Sequence, residues 1–229
     1  MANDYFRFKR FTIYQSLCAM KVGTDGTLLG AWAYGGSQIL DIGTGTGLVA
    51  IMMAQRFPDA QIVGVDIDEN ACRQARENVA ASTFANISIL HQDVNEVQGE
   101  FDCIVSNPPY FNRSLECPDK GRTLARHTSS LSYRQLMENA WRLLSDDGEL
   151  SVVIPDDCKS QLEAEAVLAG FFKSRECAVK TTPRKKPRRY LLAFRKHAVN
   201  GVETTEGIIE TSPNIRSEWY RELTKDFYL

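Results

Sequence analysis

"LDIGTGTGLVA", Leu40–Ala50, is the stretch on which the architecture of this chain turns. The apolar run "QILDIG" reads as a buried strand, and "GLVAIMMAQRF" then has helical composition until Pro58 stops it. Between them Gly43, Gly45 and Gly47 alternate with threonines. Glycines so placed let the backbone turn through positive φ and approach a ligand closely, while the helix start adds donor N–H groups. Working outward, the same alternation continues. "QIVGVDID" is a second strand and "ENACRQARENVAAS" its helix; "NISILHQDV" and "FDCIVSN" are a third and a fourth strand. After an irregular stretch from Pro109 to Ser130 come the helix "SYRQLMENAWRLLS", the strand "GELSVVIP" and the helix "DDCKSQLEAEAVLAGF". "FFKSRECAVKT" and "RYLLAFRKH" close the pattern with no helix between them, so they pair as an antiparallel hairpin. Strands alternating with helices imply an α/β fold: a mostly parallel, seven-stranded sheet ending in that hairpin, with helices on both faces.

The 229 residues suit a single domain: an N-terminal extension (1–36), the core (37–199) and a tail (200–229) packing on it. Within the tail, Asn200 to Pro213 reads as a loop and Ser217 to Asp226 as a short helix. With 43% hydrophobic and 24% charged residues the composition is that of a soluble globular protein. No apolar run approaches the roughly 20 residues that cross a bilayer, and "MANDYFRFKRF" lacks the features of a signal peptide. The six cysteines have neither C-x-x-C spacing nor paired histidines, so reduced thiols in the cytoplasm are expected, and no metal. A net charge of −2 gives no global field that would attract nucleic acid.

A dinucleotide fingerprint would need glycine or alanine at position 48, where this chain has Leu48. The spacing here is G-x-G-x-G, preceded by Asp41, which suits a ligand with a cationic ammonium and sulfonium and no pyrophosphate. Asp66 ends the second strand and can accept both ribose hydroxyls of a nucleoside; a helix cap is the plainer reading, and Asp68 serves that equally well. Asp93 ends the third strand, where it can accept from an adenine amine or be a solvated turn carboxylate. In "SNPPYF" the strand must stop at Pro108, and Pro109 stiffens the residues beyond it. Asn107 is thus held at a strand end with Tyr110 just past the prolines. One amide and one flat ring are fixed in place.

"LDIGTGTG", "GVDID" and "SNPPY", in this order, resemble the Rossmann-like class I S-adenosylmethionine-dependent methyltransferases, in the subset that methylates planar nitrogens. The resemblance covers roughly Phe6 to Phe194. It implies S-adenosyl-L-methionine as cofactor, S-adenosyl-L-homocysteine as product, and Asn107, Pro108, Pro109 and Tyr110 as the catalytic segment. Asn107 Oδ1 and the Pro108 carbonyl would accept from an exocyclic NH₂, aiming its lone pair at the sulfonium methyl. Catalysis would then rest on positioning, a source of about 7–11 kcal/mol. Tyr110 would stack on the base, worth roughly 1–3 kcal/mol. "FRFKRFTIYQSLCAMKVGTDGTLLGAWA" and the closing "LTKDFY" further resemble the bacterial tRNA1(Val) adenine-37 N6-methyltransferases. By that resemblance Lys21 to Gly26 line the cofactor pocket, with Thr24 and Asp25 near the methionine moiety. The residues alone say less: Gly23 and Gly26 permit a turn, and Asp25 can cap a helix from Thr27.

The cluster Lys180, Arg184, Lys185, Lys186, Arg188, Arg189, Arg195 and Lys196 suits phosphate contacts, or else a solvated hairpin tip. Arg113, Lys120, Arg122, Arg126 and His127 add charge after the Asn-Pro-Pro-Tyr segment, and Arg113 and Arg126 are candidates for RNA contact. The expected partner is tRNA, with no membrane and no obligate protein partner in evidence. Three substrates of the same chemistry remain: DNA adenine, which would need a target-recognition domain; a protein glutamine amide, which needs no basic hairpin; and a guanine amine of ribosomal RNA. A non-catalytic RNA-binding module would be expected to have lost Asn107 or the glycines. A nicotinamide oxidoreductase is disfavoured by Leu48.

Overall fold

The computed structural model of the protein describes residues 4–18, 21–110 and 131–228. An N-terminal hairpin, β1 (Tyr5–Arg7) and β2 (Thr12–Tyr14), precedes helix α1 (Thr24–Trp32). The core then runs β3 (Gln38–Ile42), α2 (Leu48–Arg56), β4 (Gln61–Asp66), α3 (Glu69–Ala81), β5 (Ile87–His91) and β6 (Phe101–Ser106). It continues with α4 (Tyr133–Leu143), β7 (Leu144–Pro155), α5 (Asp156–Leu168), β8 (Phe172–Lys180) and β9 (Arg189–Arg195). The tail holds β10 (Glu203–Ile208), the ribbon β11 (Glu210–Ser212) and β12 (Ile215–Arg216), and α6 (Glu218–Thr224).

The central sheet has the order β10-β8-β9-β7-β6-β3-β4-β5. The strands β7, β6, β3, β4 and β5 are parallel, and β9 pairs antiparallel with both β7 and β8. Successive residues serve opposite faces, as the pleat requires. Ile39, Cys103, Val105, Val153 and Leu191 join the core beneath α1, α2, α3 and α6, whereas Leu40, Ile104, Val152, Ile154 and Leu192 join the core beneath α4 and α5. Helix α2 buries seven consecutive residues, Leu48 to Ala54, which is why its composition carries no polar face. Among the described residues no helix is long and apolar enough to cross a membrane. The five described cysteines are buried.

The expected strands and closing hairpin are present, and four features differ at the ends. The tail segment read as a loop contains β11 and also β10, which adds an eighth strand parallel to β8. Four of its six residues are exposed, so it carries no apolar alternation to be read; backbone pairing makes it a strand. Gly207 leaves room for Trp219, since a Cβ there would meet the indole at 2.3 Å. The β1–β2 hairpin is likewise absent from the sequence reading, for two three-residue strands give too short a pattern. Strand β7 begins at Leu144 rather than at Gly148, with its register against β6 shifting between Phe101 and Cys103. Helix α1 begins at Thr24 with Gly23 as its N-cap, so Asp25 lies in its first turn and does not cap a helix from Thr27.

Candidate functional site

Strand β3 leads to β4 and β5 on one side, while β6 returns to its other side, so the strand order reverses between β3 and β6. In open α/β sheets ligands bind at the carboxyl ends of strands flanking such a reversal. Both sequence motifs meet there. Ile42 pairs with Ser106, whose Oγ donates to the Ile42 carbonyl at 2.8 Å, so the glycine turn and Asn107 leave the sheet side by side. Gly43, Gly45 and Gly47 have φ of +72°, +55° and +78°. This left-handed region favours glycine, and at Gly43 the space a Cβ would enter holds no atom within 4 Å.

The carboxylates around the turn divide the work. Asp41 is buried, and its Oδ2 accepts from Thr44 Oγ1 at 2.7 Å and from the Ala50 N–H at 3.2 Å. It therefore ties the turn to α2 rather than standing exposed before it. Asp66 is half-buried: Oδ2 accepts the Gly45 N–H at 2.9 Å and Oδ1 the Asp68 N–H at 3.0 Å. Asp68, whose Oδ1 accepts from the Asn70 N–H at 2.8 Å, is the N-cap of α3. Asp93 caps the short 3₁₀ turn Val94–Glu96 through Asn95, and α4 braces that turn from Asn139 Nδ2 to Asn95 Oδ1 at 2.8 Å.

Burial pushes the Asp41 carboxyl up to about 7, although the hydrogen bonds from Thr44 and Ala50 oppose the rise. The folded chain therefore holds this proton more tightly than the unfolded chain, where an aspartate titrates near ~3.9. The associated stability is complete below that lower value and is lost as pH rises through about 7. Asp41→Asn keeps an acceptor for Thr44 and Ala50 without a titrating group. Between pH 5 and pH 8 the wild type should lose roughly 2–3 kcal/mol that the variant does not lose. Chemical denaturation at both pH values reads this, and parallel loss in both proteins would contradict it.

Tyr110 joins the Asn-Pro-Pro-Tyr segment to α1. Its hydroxyl lies 2.8 Å from Asn107 Oδ1 and 2.9 Å from Asp25 Oδ2. Burial first, then the Asp25 charge, raises the phenol well above its ordinary range. Arg189 Nε stands 2.6 Å from Asp25 Oδ1, an ion pair with the N–H not aligned for a hydrogen bond. Thr24, half-buried, opens α1 beside this group, and Lys21 is exposed.

The basic cluster separates into two sets. Lys180 pairs with Glu206 at 2.6 Å, Arg195 with Glu149 at 3.2 Å, and Lys196 with Asp146 at 3.5 Å. Arg189, expected to face RNA, begins β9 and is spent on Asp25. Glu149 also takes Arg175, whose guanidinium stacks over the Trp32 and Tyr34 rings, so Arg195 partners a buried charge. Arg184, Lys185, Lys186 and Arg188 are exposed in the β8–β9 connection. Because β8 runs parallel to β7, that connection leaves from the edge of the sheet that carries the glycine turn and Asn107. Arg113 and Arg126, with Lys120, Arg122 and His127, lie outside the described residues.

One supporting residue was not singled out from the sequence. Asn78, fully buried on α3, donates from Nδ2 to the carbonyls of Thr46 at 2.9 Å and Tyr14 at 2.8 Å, and its Oδ1 accepts the Tyr14 N–H at 2.8 Å. It fastens the N-terminal hairpin to the glycine turn. The signal was an amide in phase with Ala71 and Ala75 on the buried face of a helix.

Residues 27–184 match the family model described as the methyltransferase small domain. The chain is 50% identical over 234 residues to the tRNA1(Val) (adenine(37)-N6)-methyltransferase of Phocaeicola vulgatus, covering 100% of this chain and 99% of that protein. The enzyme of the same name from Histophilus somni is 41% identical, covering 98% and 97%. Among solved structures, Atu636 of Agrobacterium tumefaciens, described as a predicted O-methyltransferase, aligns with a TM-score of 0.65 at 19% identity over 89% of this chain and 96% of that one. TrmN from Thermus thermophilus aligns with a TM-score of 0.54 at 23% identity over 75% and 47%. The structural likenesses carry the fold; the full-length identities carry the closer relationship. The sheet, the paired motifs and these identities have one reading: the chain belongs to the bacterial tRNA1(Val) (adenine(37)-N6)-methyltransferase family, within the Rossmann-like class I methyltransferases.

Proposed function

We propose that the protein methylates the exocyclic N6 amine of an adenosine in tRNA, using S-adenosylmethionine. The substrate named for its relatives, adenine 37 of tRNA1(Val), is the first to test. The observation that carries the reading is the pairing of Ile42 with Ser106, which sets an open glycine turn beside Asn107-Pro-Pro-Tyr110. The chemistry of the residues fits the cofactor: a turn without side chains at Gly43, Gly45 and Gly47, with Asp66 and Asp93 at the ends of the next two strands. Those residues, with Lys21 and Thr24 from the α1 side, would hold it. When bound it supplies an electrophilic methyl group on a sulfonium.

The protein's own part is orientation. Asn107 Oδ1 and the Pro108 carbonyl accept from the target NH₂, drawing the nitrogen out of conjugation so that its lone pair can be aimed. Tyr110 offers its ring as the stacking face. No strong base is required, because the cationic amine formed on transfer is acidic and releases its proton readily. Arg184, Lys185, Lys186 and Arg188 meet phosphates of the RNA from the same edge of the sheet.

The test is incubation with labelled S-adenosylmethionine and unmodified total tRNA, followed by nucleoside mass spectrometry. N6-methyladenosine is expected; label in protein glutamine or in guanosine would replace this reading. Asp66→Ala should weaken cofactor binding by roughly 1.5–3 kcal/mol, the range for a hydrogen bond to a charged acceptor. Calorimetry with S-adenosylhomocysteine measures it, and unchanged affinity would leave Asp66 only the role of bracing Gly45.

A further inference from the structure

The Tyr110 hydroxyl has one proton and two acceptors, Asn107 Oδ1 at 2.8 Å and Asp25 Oδ2 at 2.9 Å. A hydrogen bond to a carboxylate is roughly twice as strong as one to a neutral carbonyl. The proton therefore goes to the Asp25 carboxylate, whose other oxygen is held by Arg189 at 2.6 Å. Asn107 Oδ1, 2.8 Å from the Tyr110 hydroxyl, then competes for no more than a minor share of that proton and is left to accept from the target amine.

We propose that Asp25 and Arg189 are positioning residues for methyl transfer: together they draw the Tyr110 proton away from Asn107, keeping Asn107 Oδ1 open to the target amine. The proposal rests on the reading of the protein as an amine methyltransferase. It gives Asp25 work other than contact with the methionine moiety, and gives Arg189 work other than contact with phosphate. With a neutral amide at position 25 the preference for that side is lost, and the phenol proton is shared with Asn107 Oδ1 in competition with the amine.

The experiment is a double-mutant cycle on the full chain, with single-turnover transfer to tRNA and S-adenosylhomocysteine affinity both measured. Asp25→Asn should lower kcat by about tenfold or more, with KM for tRNA and cofactor affinity nearly unchanged. In a Tyr110→Phe background, which keeps the ring and removes the proton, the same substitution should have no further effect on kcat. Arg189→Gln should lower kcat with an unchanged salt dependence of tRNA binding, and Arg189→Lys should restore much of it. An equal loss from Asp25→Asn in both backgrounds, or a loss of cofactor affinity, overturns the proposal. Should Tyr110→Phe be too slow to measure, the Arg189 pair decides, and full activity in Arg189→Gln overturns it. Wild-type transfer in the same assay tests the functional reading separately, since its absence would sink that reading while an active wild type isolates this one.

Discussion

Asn107→Ala lowers single-turnover methyl transfer on the order of 10²- to 10³-fold, the range seen when one preorganised hydrogen-bonding group is removed from a reacting centre, and leaves S-adenosylhomocysteine affinity nearly intact. The expectation comes from where Asn107 stands. It is the first residue beyond β6, its backbone locked by the Ile42–Ser106 pairing on one side and by Pro108 and Pro109 on the other, so the amide leaves the sheet at a fixed point without help from substrate. In the proposed mechanism the oxygen engages the amine as the nitrogen pyramidalises, so truncation should affect the transition state more than the ground state. The loss should appear in kcat with little change in KM for tRNA. Rapid-quench measurements beside calorimetry separate the two quantities, and unchanged turnover would sink the catalytic assignment.

The second large effect is expected at the hairpin. Serine at Arg184, Lys185, Lys186 and Arg188 together should flatten the dependence of log affinity for tRNA on log salt. Each lost phosphate contact removes about 0.7–0.9 of slope, so four contacts remove roughly 3, or a change of about 60-fold in relative affinity between 50 and 200 mM salt. Arg189 is left in place, because its partner is Asp25 and its loss would be felt in turnover. The four side chains are exposed on the same edge of the sheet as Asn107, but none lines the glycine turn, so cofactor affinity should not move. Filter-binding titrations across a salt series supply the slopes. Equal slopes for the variant and the wild type would make this loop a solvated tip and direct attention to Arg113 through His127.

What the sequence determined by itself was what depends on neighbours along the chain. Positive φ favours glycine, so "GTGTG" between an apolar run and a helical one could be read as a strand–turn–helix before any contact was known. Two prolines end a strand by removing N–H groups, so Asn107 was legible as a residue held at a sheet edge. The choice among carboxylates was not legible. Asp41, Asp66 and Asp93 all precede turns; burial and partners gave Asp41 to Thr44 and Ala50, Asp66 to Gly45, and the cap of α3 to Asp68. Tertiary structure also decided which cations are spent. Arg188 and Arg189 are adjacent, but the residue that opens β9 turns to Asp25 while its neighbour is exposed. Asp25 and Tyr110 meet across 85 residues of chain. Strand β10 exists because an edge of the sheet was open to it, with no apolar pattern of its own. Backbone conformation is set by local sterics and hydrogen-bonding capacity, which a short window of sequence contains. The partner of a charge is set by which distant segments the sheet brings together, and that information belongs to the folded chain.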